Sequence, residues 1–232
     1  MITPKILYLR ISHKEGPQDL SFTADHLICA GWVGRDRQAL QDHIDELSQL
    51  GIPRPLRVPI FMNLSAYLLT TDDEITVVSD RSSGEVEYVL LCRGEDLWVS
   101  VGSDHTDREV ETQSIPASKQ MYAKCLAPEA WSYQEVREHW DELFLRSWVN
   151  QGAKRTLYQE ASLSSILSPK ELLKELPKEG LLQEEGIVLF SGTIATRAGL
   201  VYGDSYGLEL EDPVLKRKIQ HHYRVKILPQ YA

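Results

Sequence analysis

The sequence predicts an α+β fold dominated by β-structure, and three observations carry that prediction. Short apolar runs bounded by turn-forming residues recur through the middle of the chain. Only one long stretch shows clear helical periodicity, and the C-terminal tail alternates with the two-residue period of a strand.

In order, residues 5–11 and 26–34 ("HLICAGWVG") read as short strands joined by a loop. "RDRQALQDHIDELSQLGIPRP" is the clearest helix, with Leu40, Ile44 and Leu47 at helical spacing. Asp36 can cap its start, Gly51 suits its C-terminal position and Pro53 forbids continuation. Strands follow in "RVPIFMNLS", "YLLTTDDEITVVS", "EVEYVLLC" and "DLWVSVGS". A helical patch is expected from about 106 and another from 132 ("SYQEVREHWDELFLRSWV"). "SPKELLKEL" is a short helix with Ser168 as cap and Pro169 at its first position. In "LKRKIQHHYRVKIL", Ile219, Tyr223 and Val225 share one strand face, while Lys216, Lys218, Arg224 and Lys226 share the other. A basic face of this kind suits an edge strand, where lysines discourage pairing with other chains.

The chain has 232 residues, 42% of them apolar and 25% charged, which is ordinary globular composition. A net charge of -9 argues against a nucleic-acid surface, which is built from clustered Lys and Arg. Cys29, Cys92 and Cys125 are far apart and odd in number, so they read as reduced thiols of a cytoplasmic protein rather than a disulfide framework or zinc site. No stretch is apolar over the length needed to cross a membrane.

Three constellations could carry chemistry. Glu85 and Glu87 lie two apart where the chain enters the apolar run "YVLLC", so on a strand they point the same way. Such a pair is either a solvated strand end or part of a hard-cation site, since Mg2+ takes carboxylate oxygens. Asp104, just after "LWVSVGS", is the candidate third ligand. Thr106 and Glu109 have capping-box spacing, which leaves Asp104 free. His105 has no second histidine at ligand spacing, so the all-carboxylate set favours Mg2+ or Mn2+. Next, His43 and Glu46 are neighbours on one helical face, either a surface pair or a base with its tautomer fixed. Finally, "LFSGTIATRAG" places Gly192 and Thr193 in a turn that can present N–H groups to an anion or be an ordinary turn.

Taken in order, these pieces resemble the fumarylacetoacetate hydrolase superfamily. "GRDRQALQDHIDEL" looks like its "GxNYxxHxxE" segment, and "VPIFMNLSAYLL" is similar to its "lFxKPxsa" strand. "EVEYVLL" matches its metal pair, "SDHTDREVE" its "NDxSaRDxQ" and "SGTIAT" its "TGTPxG". The resemblance implies a mixed β-sandwich roll over residues 58–232 behind a small α/β N-terminal lobe, residues 1–57. It implies metal ligands at Glu85, Glu87 and Asp104, and a water-activating pair at His43 and Glu46. It also implies a catalytic lysine at Lys119, with Lys124 the alternative, and substrate contacts at Arg108, Lys124 and Thr193.

The implied activity is Mg2+- or Mn2+-dependent C–C bond hydrolysis of a small 2-oxo or 1,3-diketo acid by a homodimer. Decarboxylation, isomerisation, hydration or binding without turnover are alternatives on the same site. The sequence departs from the family in several places. Only sixteen residues separate Glu87 from Asp104, so a connecting helix must be missing. Asn63 stands where the family often has Lys, Glu111 where it often has Gln, and Asp36 and Arg37 replace Asn-Tyr. The terminal turn lacks the usual proline.

Overall fold

A computed structural model describes residues 3–13, 16–49, 54–176 and 185–229, and leaves the side chains of residues 43 and 46–49 undescribed. The chain opens with strands β1 (Lys5–His13), β2 (Gly16–Ala24) and β3 (His26–Gly31), then helix α1 (Arg37–Gln49). Five short or medium strands follow: β4 (Ile60–Leu64), β5 (Leu69–Thr70), β6 (Glu74–Val77), β7 (Ser82–Ser83) and β8 (Val86–Arg93). Next come β9 (Asp96–Asp104), β10 (Thr106–Asp107), helices α2 (Arg108–Glu111) and α3 (Ile115–Met121), and strands β11 (Lys124–Leu126) and β12 (Glu129–Ser132). The rest comprises α4 (Tyr133–Val136), β13 (Phe144–Gln151), β14 (Lys154–Ser162), α5 (Pro169–Glu175), β15 (Ile187–Phe190), β16 (Ser205–Asp212) and β17 (Arg217–Ile227).

The larger sheet runs β2-β1-β12-β9-β8-β15-β3-β4, with β11 and β5 attached beside β9. The smaller runs β14-β13-β16-β17-β6. β8 shows how one sequence serves two cores. Val86, Tyr88 and Leu90 enter an apolar cluster shared with Leu145, Tyr206, Leu208 and Tyr223 of the smaller sheet. Val89 and Leu91, on the opposite face, enter a second cluster with Leu9, Phe22, Leu27 and Phe190. A strand buried on both faces reads as a continuous apolar run, as "YVLLC" does. β1–β3, from the segment expected to form an N-terminal lobe, are built into the same sheet as β8 and β9.

Asp36 caps α1 as expected, its Oδ1 accepting from the N–H groups of Gln38 and Ala39 at 3.0 Å. Gly51 and Pro53 lie outside the described residues. Ser168 and Glu171 form a complete capping box on α5, with Pro169 in the first turn. Three expectations are corrected. The loop after β1 is instead strand β2, on the sheet edge, where a proline such as Pro17 is tolerated. The helix expected from 132 stops within a turn of α4 and a 3-10 segment, and "FLRSWV" is strand β13. There Leu143, Leu145, Ser147 and Val149 are buried at period two, and pairing with β14 and β16 overrides the helical charge spacing. The cap of α2 is Asp107, which accepts from the N–H groups of Glu109 and Val110, whereas the Thr106 hydroxyl donates to the Asp104 carbonyl.

Only the last part of β17, Arg224–Ile227, is covered by β6, so its first part is a sheet edge. Lys218 there is ion-paired with Glu209 and Glu211. The three cysteines are free thiols, and no helix among the described residues is long and apolar enough to cross a membrane.

Candidate metal centre

The acidic trio is assembled by a hairpin. β8 and β9 are joined by two residues, Gly94 and Glu95, and Gly94 takes the positive φ of 60° that such tight turns need. That turn is why sixteen residues suffice between Glu87 and Asp104. The register pairs Glu87 with Gly102 and Val86 with Ser103, and Asp104 N–H donates to the Glu85 carbonyl at 3.0 Å. Glu85 is thus opposite Asp104 and Glu87 diagonal to it, all on one sheet face. A side chain at position 102 would press into the Cys125 carbonyl at 2.6 Å and the Phe190 ring at 2.7 Å, so glycine lets the strands close behind the carboxylates. The ligand oxygens of Glu85, Glu87 and Asp104 lie within 4.8 Å of one another.

Cations converge on the same face. β11 pairs Lys124 directly with Asp104, and the Lys124 ammonium is 2.7 Å from Asp104 Oδ1 and donates to the His105 carbonyl at 2.8 Å. Lys119, from α3, contacts Glu85 Oε2, lies 3.0 Å from Asp104 Oδ2 and donates to Thr106 Oγ1 at 3.1 Å. Arg108, at the start of α2, donates to Glu85 Oε1 at 2.9 Å, Glu111 Oε2 at 2.8 Å and Ser83 Oγ at 2.7 Å. Glu111 thereby gives Arg108 a second carboxylate.

Burial opposes ionisation of Glu85, but Lys119 and Arg108 outweigh it and hold its pKa below the usual carboxylate range. For Asp104 burial is likewise outweighed, by Lys119 and Lys124. Glu87 differs. Burial, then the charges of Asp104 and Glu85, raise it well above that range. Among the described residues it accepts one hydrogen bond, from Gly192 N–H to Oε2 at 2.7 Å. Three carboxylates buried this close together repel one another, and a divalent cation among their oxygens would offset that repulsion. All-oxygen donors on one face suit Mg2+ or Mn2+. Lys119 shares the oxygens that would ligate such an ion.

Thr193 is near the trio but already engaged. Its hydroxyl donates to the Val86 carbonyl at 2.8 Å and accepts from Gln159 Nε2 at 2.8 Å. His43 and Glu46 lie on α1, but their side chains are outside the described residues. Two buried groups that sequence reasoning gave no role stand behind the carboxylates, Tyr223 and Gln159. Tyr223 hydrogen-bonds Ser103 Oγ at 2.8 Å, and that oxygen accepts from Glu85 N–H at 3.1 Å. Period-two alternation marks Tyr223 as inward-facing; nothing in the sequence marks Gln159.

His105 is not a ligand. It is fully buried against Tyr122, Tyr206 and Tyr223, with Nδ1 3.0 Å from Tyr223 Oη and Nε2 3.0 Å from Ser82 Oγ. Burial, then Lys124 and Arg108, lower its pKa from 6.5 to about 3. Below pH 6.5 the unfolded chain binds a proton that the folded chain refuses until about pH 3. Stability is therefore lost as the pH is lowered through that window, by up to ~1.4 kcal/mol per unit from this group. His105→Asn is expected to flatten the acid limb of the denaturation midpoint between pH 6 and about 4 relative to wild type. An unchanged slope would exclude His105 as its source.

The sequence profile of the family described as "Protein of unknown function (DUF2848)" matches residues 30–223. A search of curated proteins finds no match. Among solved structures, a provisionally assigned fumarylacetoacetate isomerase/hydrolase from Oleispira antarctica superposes with a TM-score of 0.65 at 19% identity, covering 94% of this chain and 98% of that one. A 2-keto-3-deoxy-D-arabinonate dehydratase, complexed with magnesium and 2,5-dioxopentanoate, gives 0.63 at 13% identity over 91% of this chain and 77% of that one. A provisionally assigned fumarylacetoacetate hydrolase family protein from Yersinia pestis CO92 gives 0.64 at 13% identity, covering 94% and 99%. On its sequence the chain belongs to the DUF2848 family, and its fold is that of the fumarylacetoacetate hydrolase superfamily.

Proposed function

We propose that this chain is an enzyme that uses Mg2+ or Mn2+ to act on a small 2-oxo or 1,3-diketo carboxylic acid, with hydrolysis of a C–C bond as the reaction. The observation that carries the reading is the row of three carboxylates on one sheet face, with oxygens within 4.8 Å. Glu85, Glu87 and Asp104 would hold the ion. When bound, it supplies Lewis-acid polarisation of a substrate carbonyl.

The chain's own residues supply the rest. Arg108 and Lys119 place positive charge at the edge of the trio and counter negative charge developing on the substrate. Lys124, fully buried beneath Asp104, fixes that carboxylate. The one hydroxyl proton of Thr193 goes to the Val86 carbonyl, so its proposed part in binding the remote carboxylate is indirect, through the turn it holds in place. His43, oriented by Glu46, takes a proton from the attacking water. The family resemblance further suggests a cytoplasmic homodimer.

A lyase reaction on the same residues is the second reading, and the dehydratase that shares this fold favours it. The deciding experiment incubates the Mn2+-loaded protein with acylpyruvates and oxaloacetate and identifies products. Hydrolysis predicts two carboxylic fragments, and His43→Ala lowering kcat by about 10²–10⁴-fold. Loss of CO2 or water from an otherwise intact carbon chain points to the lyase, and saturable binding without product leaves an organic-acid-binding protein.

A further inference from the structure

We propose that Gln159 is a positioning residue for the metal centre, locking the two-glutamate strand to the turn that hydrogen-bonds Glu87. The proposal rests on the metal reading above. Gln159 lies on β14, in the smaller sheet, where the pairing with β13 slips. Ser147 pairs with Gln159 but Trp148 pairs with Leu157, which leaves Tyr158 as an extra residue. A bulge of this kind lets consecutive side chains turn to one side, and Tyr158 and Gln159 are both buried, at 2% and 1% exposure.

The carboxamide so delivered is fully used. Its oxygen accepts from Val86 N–H at 3.1 Å and from Ser147 Oγ at 3.0 Å. Its NH2 donates to Thr193 Oγ1 at 2.8 Å and to the Ile194 carbonyl at 2.6 Å. Val86 is the residue between the two glutamates, and its carbonyl accepts from the same Thr193 hydroxyl. One side chain therefore grips both peptide groups of Val86, one directly and one through Thr193, and the turn whose Gly192 N–H holds Glu87. An amide has the two acceptor and two donor sites this needs; a carboxylate has no donors. Gln159 reaches neither an ion nor a substrate, and acts by fixing where Glu87 and Glu85 stand.

The test titrates Mn2+ against wild type, Gln159→Glu, Thr193→Val and Thr193→Ser, reading free Mn2+ by electron paramagnetic resonance. It also follows amide hydrogen exchange in the metal-free proteins. Gln159→Glu and Thr193→Val are expected to weaken Mn2+ binding by about 10–100-fold. Both should speed exchange at residues 191–194 by about 10-fold while β16 and β17 keep their protection. Thr193→Ser, which retains the hydroxyl, should match wild type in both readouts. Wild-type Mn2+ affinity in Gln159→Glu and Thr193→Val would overturn the positioning role. So would exchange that rises throughout the fold, because it marks Gln159 as merely structural. Thr193→Val supplies the same test should Gln159→Glu fail to fold. Absence of Mn2+ binding in wild type would overturn the metal reading, and this proposal with it.

Discussion

Replacing Lys119 with methionine is expected to destabilise the metal-free protein by about 3–5 kcal/mol, the scale for breaking a buried ion pair by removing one partner. The Lys119 side chain is 8% exposed, and its ammonium lies among Glu85, Asp104 and Glu111. Burial lowers its pKa, but Asp104 and Glu85 outweigh that and raise it well above the ordinary range, so it stays charged. Methionine fills a similar volume and strands those carboxylates. A divalent cation should then restore more stability to Lys119→Met than it adds to wild type, because the vacated charge is the one it replaces. Urea midpoints with Mg2+ and with a chelator read both quantities. A loss below about 1 kcal/mol, as for a solvent-exposed pair, would show that Lys119 does not compensate the trio.

The second large effect is expected at Asp104. Asp104→Asn keeps the shape and removes the charge from the centre of the cluster, 1% exposed. Mn2+ affinity should fall by more than ~100-fold, beyond what outer-sphere changes cost. Turnover should fall with it, and Lys119 and Lys124 would lose a shared partner. If Asp104→Asn titrates Mn2+ as wild type does, the three carboxylates do not act as one site.

Much of this arrangement was legible in the sequence because it obeys the two-residue strand period. Glu85 and Glu87 share a face with Val89 and Leu91, and that much follows from spacing alone. The facing of Asp104 does not: its place after an apolar strand made it a candidate third ligand, but its alignment depends on the two-residue turn at Gly94, which sets the register. Segment 132–151 misled because "EVREHWDEL" carries charges at helical spacing while its continuation is buried every second residue. Edge strand β2 buries little beyond Phe22 and Ala24, too few positions to declare a period. Gln159 could not be read at all. A bulge changes which way a residue faces without leaving a mark in composition, and an isolated glutamine is ordinarily a surface residue.

Strand β15 has a consequence for how the molecule comes together. It lies between β3 and β8, parallel to one and antiparallel to the other, although it follows both by many residues in the chain. Until Ile187–Phe190 arrives, β3 and β8 each present an open edge, and the amide that steadies Glu87 does not exist at the site. Closure by so distant a segment is entropically slow. The chemistry-bearing corner is therefore assembled late, after most of the chain has been synthesised, and a nascent chain ending short of residue 187 holds the carboxylates beside an exposed, aggregation-prone edge.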